Sequence, residues 1–95
     1  MNSPAIIVRG RLECDSAAQA AVVRQHLPRH IELTCSEAGC LRFDGVQTDD
    51  LQVWHVDEAF LDAAAFEAHR QRVADSEWGR VTQGIRRSYT VHERE

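Results

Sequence analysis

His69 is the residue in this sequence best suited to moving a proton. It follows Asp62, a good helix N-cap, and belongs to a stripe of Ala65, Phe66, His69 and Val73 whose spacing is that of one helical face. The imidazole is therefore expected to point inward. With an unperturbed pKa of about 6.5, such a group serves as a general base in a cavity or as a hydrogen-bonded packing residue in a filled core. The residues alone leave both readings open. Glu58 lies just upstream, in a strand where Trp54, Val56, Glu58 and Phe60 alternate with His55, Asp57 and Ala59.

Other chemistry-bearing residues carry less. His26 and His30 stand four apart on a helix and share a face that could hold a metal, but Pro28 separates them and no third ligand accompanies them. No metal site is expected. Cys14, Cys35 and Cys40 are odd in number and lack paired spacing, so they read as reduced thiols. All eleven basic residues are Arg, which excludes Schiff-base lysine chemistry.

The elements that must position these groups follow in order. Ala5 to Glu13 alternates as a strand with Ile6, Val8, Gly10 and Leu12 on one face. Ser16 and Gln19 form a capping box, and Ala20, Val23, Leu27, Ile31, Thr34 and Ala38 make a helical stripe ending at Gly39, which suits a left-handed cap. Pro28 predicts a kink or break near 24–28. Cys40 to Gln47 and Leu51 to Leu61 read as strands joined across Thr48-Asp49-Asp50, with Leu41 and Phe43 sharing the first strand's apolar face. After the helix bearing His69, Ser76 caps a short helix with Trp78 and Val81, and Ile85, Arg87, Tyr89 and Val91 alternate in a last strand.

This order predicts an α+β, ferredoxin-like βαββαβ fold: a four-stranded antiparallel sheet with helices on one face, in one domain spanning 1–95 with its core at about 5–92. The opposite face would carry Arg9, Arg11, Cys40, Arg42, Asp44, Val46, Val53, His55, Asp57, Arg86, Ser88 and His92. It is too apolar in places for bare solvent, so a second copy is expected to cover it as a two-fold dimer, with Arg42, His55 and Asp57 as an interface network. The net charge of −4 and the scattered Arg argue against nucleic acid. No stretch resembles a signal peptide or membrane span, and a cytoplasmic, soluble protein is expected.

Glu37-Ala38-Gly39-Cys40-Leu41-Arg42-Phe43, the strand end Glu58-Ala59-Phe60, and Asp62-Ala63-Ala64-Ala65-Phe66-Glu67-Ala68-His69 together resemble the antibiotic biosynthesis monooxygenase, or quinol monooxygenase-like, family. The resemblance spans 5–92 in element order and is specific at residue level over 39–69. It implies dimeric α+β barrels of ferredoxin-like protomers that oxidise phenolic or quinol-type aromatics with dioxygen, without metal, flavin or haem. The family's helix histidine falls on His69. Its frequent strand-end tryptophan falls on Phe60, and its second histidine on the Ser76-Glu77-Trp78 stretch, so two polar groups are replaced by aromatics. The haem-degrading branch has an asparagine where this chain has Gly10.

On this resemblance, His69 is the candidate base and Glu58 its leading partner. Phe43, Trp54, Phe60, Trp78 and Tyr89 are the expected aromatic walls of the substrate pocket, and Arg87 would meet an oxyanion. The bland alternatives make the aromatics core and Glu58 and Arg87 ion-pair residues. A non-catalytic dimeric module binding a small ligand, or a haem-degrading or isomerase member of the same fold, is the competing function.

Overall fold

The computed structural model describes residues 5–93. Strand β1 (Ile6–Glu13), helix α1 (Ala17–Cys35), strands β2 (Cys40–Gln47) and β3 (Val53–Phe60), helices α2 (Ala63–Ala74) and α3 (Glu77–Val81), and strand β4 (Arg86–Glu93) follow in order. The strands form one antiparallel sheet in the order β2-β3-β1-β4, the ferredoxin-like arrangement. Apolar side chains from β1, β3 and the helices build its core. One group centres on Leu12, Val23, Leu27, Trp54, Val56 and Trp78; another joins Ile6, Val8 and Phe60.

Local chemistry starts α1 as expected, since the Gln19 amide donates to Ser16 Oγ at 3.1 Å. The Gln19 side chain instead accepts from the Asp15 amide, at 2.7 Å. Pro28 does not break α1, which runs unbroken from Ala17 to Cys35. Pro28 lies on the exposed side, while Leu27 and His30 beside it are buried against the sheet. Their packing offsets the hydrogen bond that proline removes. The buried stripe is Ala20, Val23, Leu27, His30 and Thr34, so His30 takes the inward place expected of Ile31, and Ala38 lies past the helix end.

Two further expectations are corrected in β2. Gly39 has no positive φ. It is instead a close-approach glycine: a Cβ there would stand 2.2 Å from the Ala65 Cβ. In addition, a β-bulge interrupts the β2–β3 register between Cys40 and Arg42. The extra residue is Leu41, which is 45 % exposed, while Cys40 faces inward with Phe60. Because side-chain direction alternates every residue, one inserted residue exchanges their faces. Strand β3 begins at Val53 rather than Leu51, because 48–52 closes a turn in which Thr48 and Asp50 accept backbone amides.

Strand β4 pairs only with β1 and is one edge of the sheet, β2 being the other. Tyr89 and Val91, on the side that faces the helices elsewhere in the sheet, remain 40 % and 48 % exposed. On the helix-free face Asp57 pairs with Arg42 at 2.8 Å and with Arg9 at 3.6 Å, and His55 is exposed. Among the described residues no helix is long and apolar enough to cross a membrane.

Candidate active site

Helix α2 is set in place at its first turn. Asp62 Oδ1 accepts the Ala65 amide at 2.8 Å, and the Leu61 amide donates to Gly39 O at 2.8 Å, which ties the helix start to the start of β2. One turn after Ala65, His69 points at β3 and is 6 % exposed. Phe60 packs against it, ring centroids 4.9 Å apart.

Two carboxylates flank the imidazole. Its Nδ1 lies 2.7 Å from Glu37 Oε1, and its Nε2 lies 3.3 Å from Glu58 Oε1. The first is a hydrogen bond; the second is an ion-pair contact outside hydrogen-bond alignment. Arg72 steadies Glu37 at 3.3 Å and also donates to Thr34 Oγ1 at 3.0 Å. Burial alone would lower the pKa of His69. Glu58 and Glu37 outweigh it, so the net shift is upward.

A second imidazole responds in the opposite direction. His30 is buried, stacked on Trp78 with centroids 4.7 Å apart and set edge-on to Phe43 at 5.2 Å. Its ring centroid lies 6.1 Å from that of His69. Burial, and then the positive neighbours His69, Arg72 and Arg87, push its pKa down to about 3, so it stays neutral. His26 turns elsewhere, its Nδ1 3.4 Å from Glu77 Oε1, so the two α1 histidines serve different neighbours.

A cavity of about 280 Å³ opens beside these groups. Leu12, Leu27, Phe43, Val56 and Trp78 supply its apolar wall; His30, Glu58, His69, Gln83, Arg87 and Tyr89 supply the polar one. A wider groove of about 490 Å³, lined by Val8, Phe66 and Val91, shares Glu58, His69, Val73 and Tyr89 with it. The Glu58–His69 pair thus stands where an inner cavity meets an outer, mostly apolar groove. Tyr89 is pushed up to about 12 by burial and then by Glu58, against the pull of Arg87. The residue as a whole is 40 % exposed.

Of the residues singled out from the sequence, His69, Glu58, Phe43, Trp78, Arg87 and Tyr89 come together around this cavity. Trp54 and Phe60 do not. Trp54 is buried among the Leu12 and Val23 group, and Phe60 is wholly buried beneath His69, so both act as packing residues. The guanidinium of Arg87 is already engaged by Thr82 O and Ile85 O, each at 3.3 Å. Sequence reasoning missed Glu37, Arg72, Thr34 and His30. His30 was within reach, because Leu27, His30 and Thr34 keep helical spacing. Glu37 was not, because the helical stripe puts Thr34 and Ala38 inward around it, whereas α1 ends at Cys35 and Glu37 reaches His69 from the turn beyond.

Gly10 explains how Tyr89 reaches the cavity. The two residues are paired across β1 and β4, and a Cβ on Gly10 would fall 2.3 Å from Tyr89 Cδ1 and 2.2 Å from Ser88 O. The tyrosine occupies the space that any larger residue at position 10 would need.

A family model described as antibiotic biosynthesis monooxygenase matches residues 5–78. Among solved structures, a protein of Pseudomonas aeruginosa is similar at 20 % identity and TM-score 0.78, over 100 % of this chain and 98 % of that one. A Nitrosomonas europaea protein provisionally described as an antibiotic biosynthesis monooxygenase matches at 15 % identity and TM-score 0.77, over 94 % and 97 %. A protein of Deinococcus radiodurans with the same description matches at 20 % and 0.75, over 95 % and 92 %. At these identities the structural likeness establishes the fold. No curated protein matches.

Proposed function

The chain belongs to the antibiotic biosynthesis monooxygenase family, and on that footing we propose that it oxidises a small phenolic or quinol-type aromatic with dioxygen, using no metal, flavin or haem. The observation that carries this reading is a buried imidazole between two carboxylates, on the wall of a cavity of about 280 Å³ with aromatic sides. Dioxygen is a triplet and reacts slowly with closed-shell organics, so the substrate itself must become electron-rich. Removing a phenolic proton achieves that.

The Glu58–His69 pair is the proton acceptor in this scheme. Its members share protons: when the imidazole is charged, the Glu58 carboxylate takes the substrate proton and the imidazolium faces the resulting phenolate. Apolar walls exclude water and strengthen that attraction. Oxidation of an anthrone-type methylene to a carbonyl places one oxygen atom of dioxygen in the product and the other in water, so no external reductant is consumed. The haem-degrading alternative lacks a polar side chain at position 10, where Tyr89 leaves no room.

The protein is taken to work as a homodimer closed over the helix-free face of the sheet, where Val46 is 62 % exposed among charged residues. Oxygen uptake with hydroquinones or anthrones is the direct test. Uptake that disappears in His69→Ala, with the far-ultraviolet circular dichroism retained, supports the assignment; uptake unchanged by that substitution refutes the role of His69. Quenching of tryptophan fluorescence by the same compounds without any turnover would favour a binding module.

A further inference from the structure

We propose that Glu37 is a positioning residue for His69: it holds the proton on Nδ1, turns Nε2 toward Glu58 and the cavity, and balances the charge of the imidazolium. The inference rests on the proposed reading for its catalytic consequence, but its geometry stands apart from any turnover. A carboxylate accepts and has no proton to give, so the 2.7 Å contact identifies Nδ1 as the donor. The neutral ring must then present a lone pair at Nε2. Glu58 Oε1, 3.3 Å away, also presents lone pairs. Two acceptors that close repel unless one of them is protonated, so the Nε2–Glu58 unit is built to hold a proton on one member.

The surroundings fit a charge-balanced cluster. Glu37 and Glu58 bring two negative charges, and the His69 imidazolium and Arg72 bring two positive ones. Burial sorts the members by role. The side chains of Glu58 and His69 are 6 % and 8 % exposed, whereas those of Glu37 and Arg72 are 18 % and 29 % exposed. Glu58 lines the cavity; Glu37 does not and acts through the ring. Arg72, which also grips Thr34 on α1, fixes Glu37 in turn. The turn after α1 is therefore part of the site.

The groups facing this unit come from every element packed on it. Glu37 follows α1, His30 belongs to α1 itself, Arg72 to α2, Glu58 to β3, and Arg87 and Tyr89 to β4. The Cys40 thiol of β2 lies within the field of both carboxylates. Among the described residues Glu37 is the group hydrogen-bonded to Nδ1, while Glu58 stands at Nε2 without hydrogen-bond alignment, so the Glu37 contact favours the Nδ1–H tautomer.

The experiment is nitrogen-detected NMR titration of His69 in the whole protein and in Glu37→Gln and Glu37→Asp, with the pH profile of hydroquinone or anthrone oxygen uptake alongside. In the unsubstituted protein Nδ1 carries the proton and the ring titrates above an ordinary histidine. Glu37→Gln mixes the tautomers, lowers the titration midpoint, and reduces kcat about 10- to 100-fold with KM little changed, the range seen for carboxylates that orient a metal-bound imidazole. Glu37→Asp restores the midpoint and part of kcat. A tautomer and midpoint unmoved by Glu37→Gln in a folded protein overturn the proposal. Protein that shows the Glu37-dependent tautomer but takes up no oxygen in any form upholds the positioning and sinks the oxygenase reading instead.

Discussion

Replacing Gly10 with alanine tests the packing that brings β4 to the site. The new Cβ would lie 2.2 Å from Ser88 O, 2.3 Å from Tyr89 Cδ1 and 2.7 Å from Tyr89 Cα. Two of these three atoms are backbone, so no side-chain rotation relieves the clash and β4 must move away from β1. Overpacking ordinarily costs about 1–3 kcal/mol, and a backbone collision belongs at the upper end, about 3 kcal/mol. For a domain of this size that is a fall in Tm of roughly 12–24 °C. Gly84→Ala is the control, because its nearest neighbour is Gln19 Nε2 at 4.0 Å. It is expected to be neutral or to stabilise by about 0.4–1 kcal/mol through the unfolded chain. Urea and thermal unfolding at one fixed protein concentration measure both, since any dimer makes Tm concentration-dependent. Should Gly10→Ala fall within about 0.5 kcal/mol of Gly84→Ala, the argument that Tyr89 and β4 require a bare backbone at position 10 fails.

Two other perturbations follow from the same structure. Gly39→Ala sets a methyl against Ala65, so it should cost about 1–3 kcal/mol, whereas Ala65→Gly costs about 1 kcal/mol of helix propensity. Combined, they should lose less than their sum by at least about 0.5 kcal/mol; strict additivity in urea melts would show that the helix and β2 do not meet there. His30, held neutral with a pKa of about 3, leaves the unfolded chain to bind the proton first as pH falls. Its contribution is therefore complete above about pH 6.5 and drains at roughly 1.4 kcal/mol per pH unit between there and about 3. Unfolding free energies measured from pH 7 to 4 should show this slope, and His30→Phe should flatten it; an equal slope in both proteins removes His30 as its cause.

Much of the fold was legible because neighbouring residues settle it. The Ser16 and Asp62 caps, the alternation of β1 and β3, and the stripe through His69 are local patterns, and each reappears in the structure. The places where reading failed share a cause. Leu41 and Cys40 exchanged faces because a bulge is recognised by its partner strand and not by its own sequence. Gly39 suited a helix cap by type, but what requires glycine there is a methyl group 26 positions further along the chain, at Ala65. Pro28 carries a local penalty, which the packing of Leu27 and His30 against the sheet offsets.

The candidate site divides along the same line. By itself the sequence determined that His69 faces inward and that Glu58 shares a strand face with Trp54 and Phe60, since helical and strand periodicity follow from backbone geometry. Only the tertiary structure decided the company these residues keep. Glu37 and Arg72 stand 32 positions from His69 and three positions from it respectively, and both meet its surroundings because Arg72 of α2 reaches Thr34 of α1 and Glu37 just beyond it. Trp54 and Phe60 became core while Phe43, Trp78 and Tyr89 line the cavity, and aromatic type alone does not separate the two groups. Periodicity assigns a side chain to a face; which other faces it meets there depends on contacts distant in the chain, which no local pattern records.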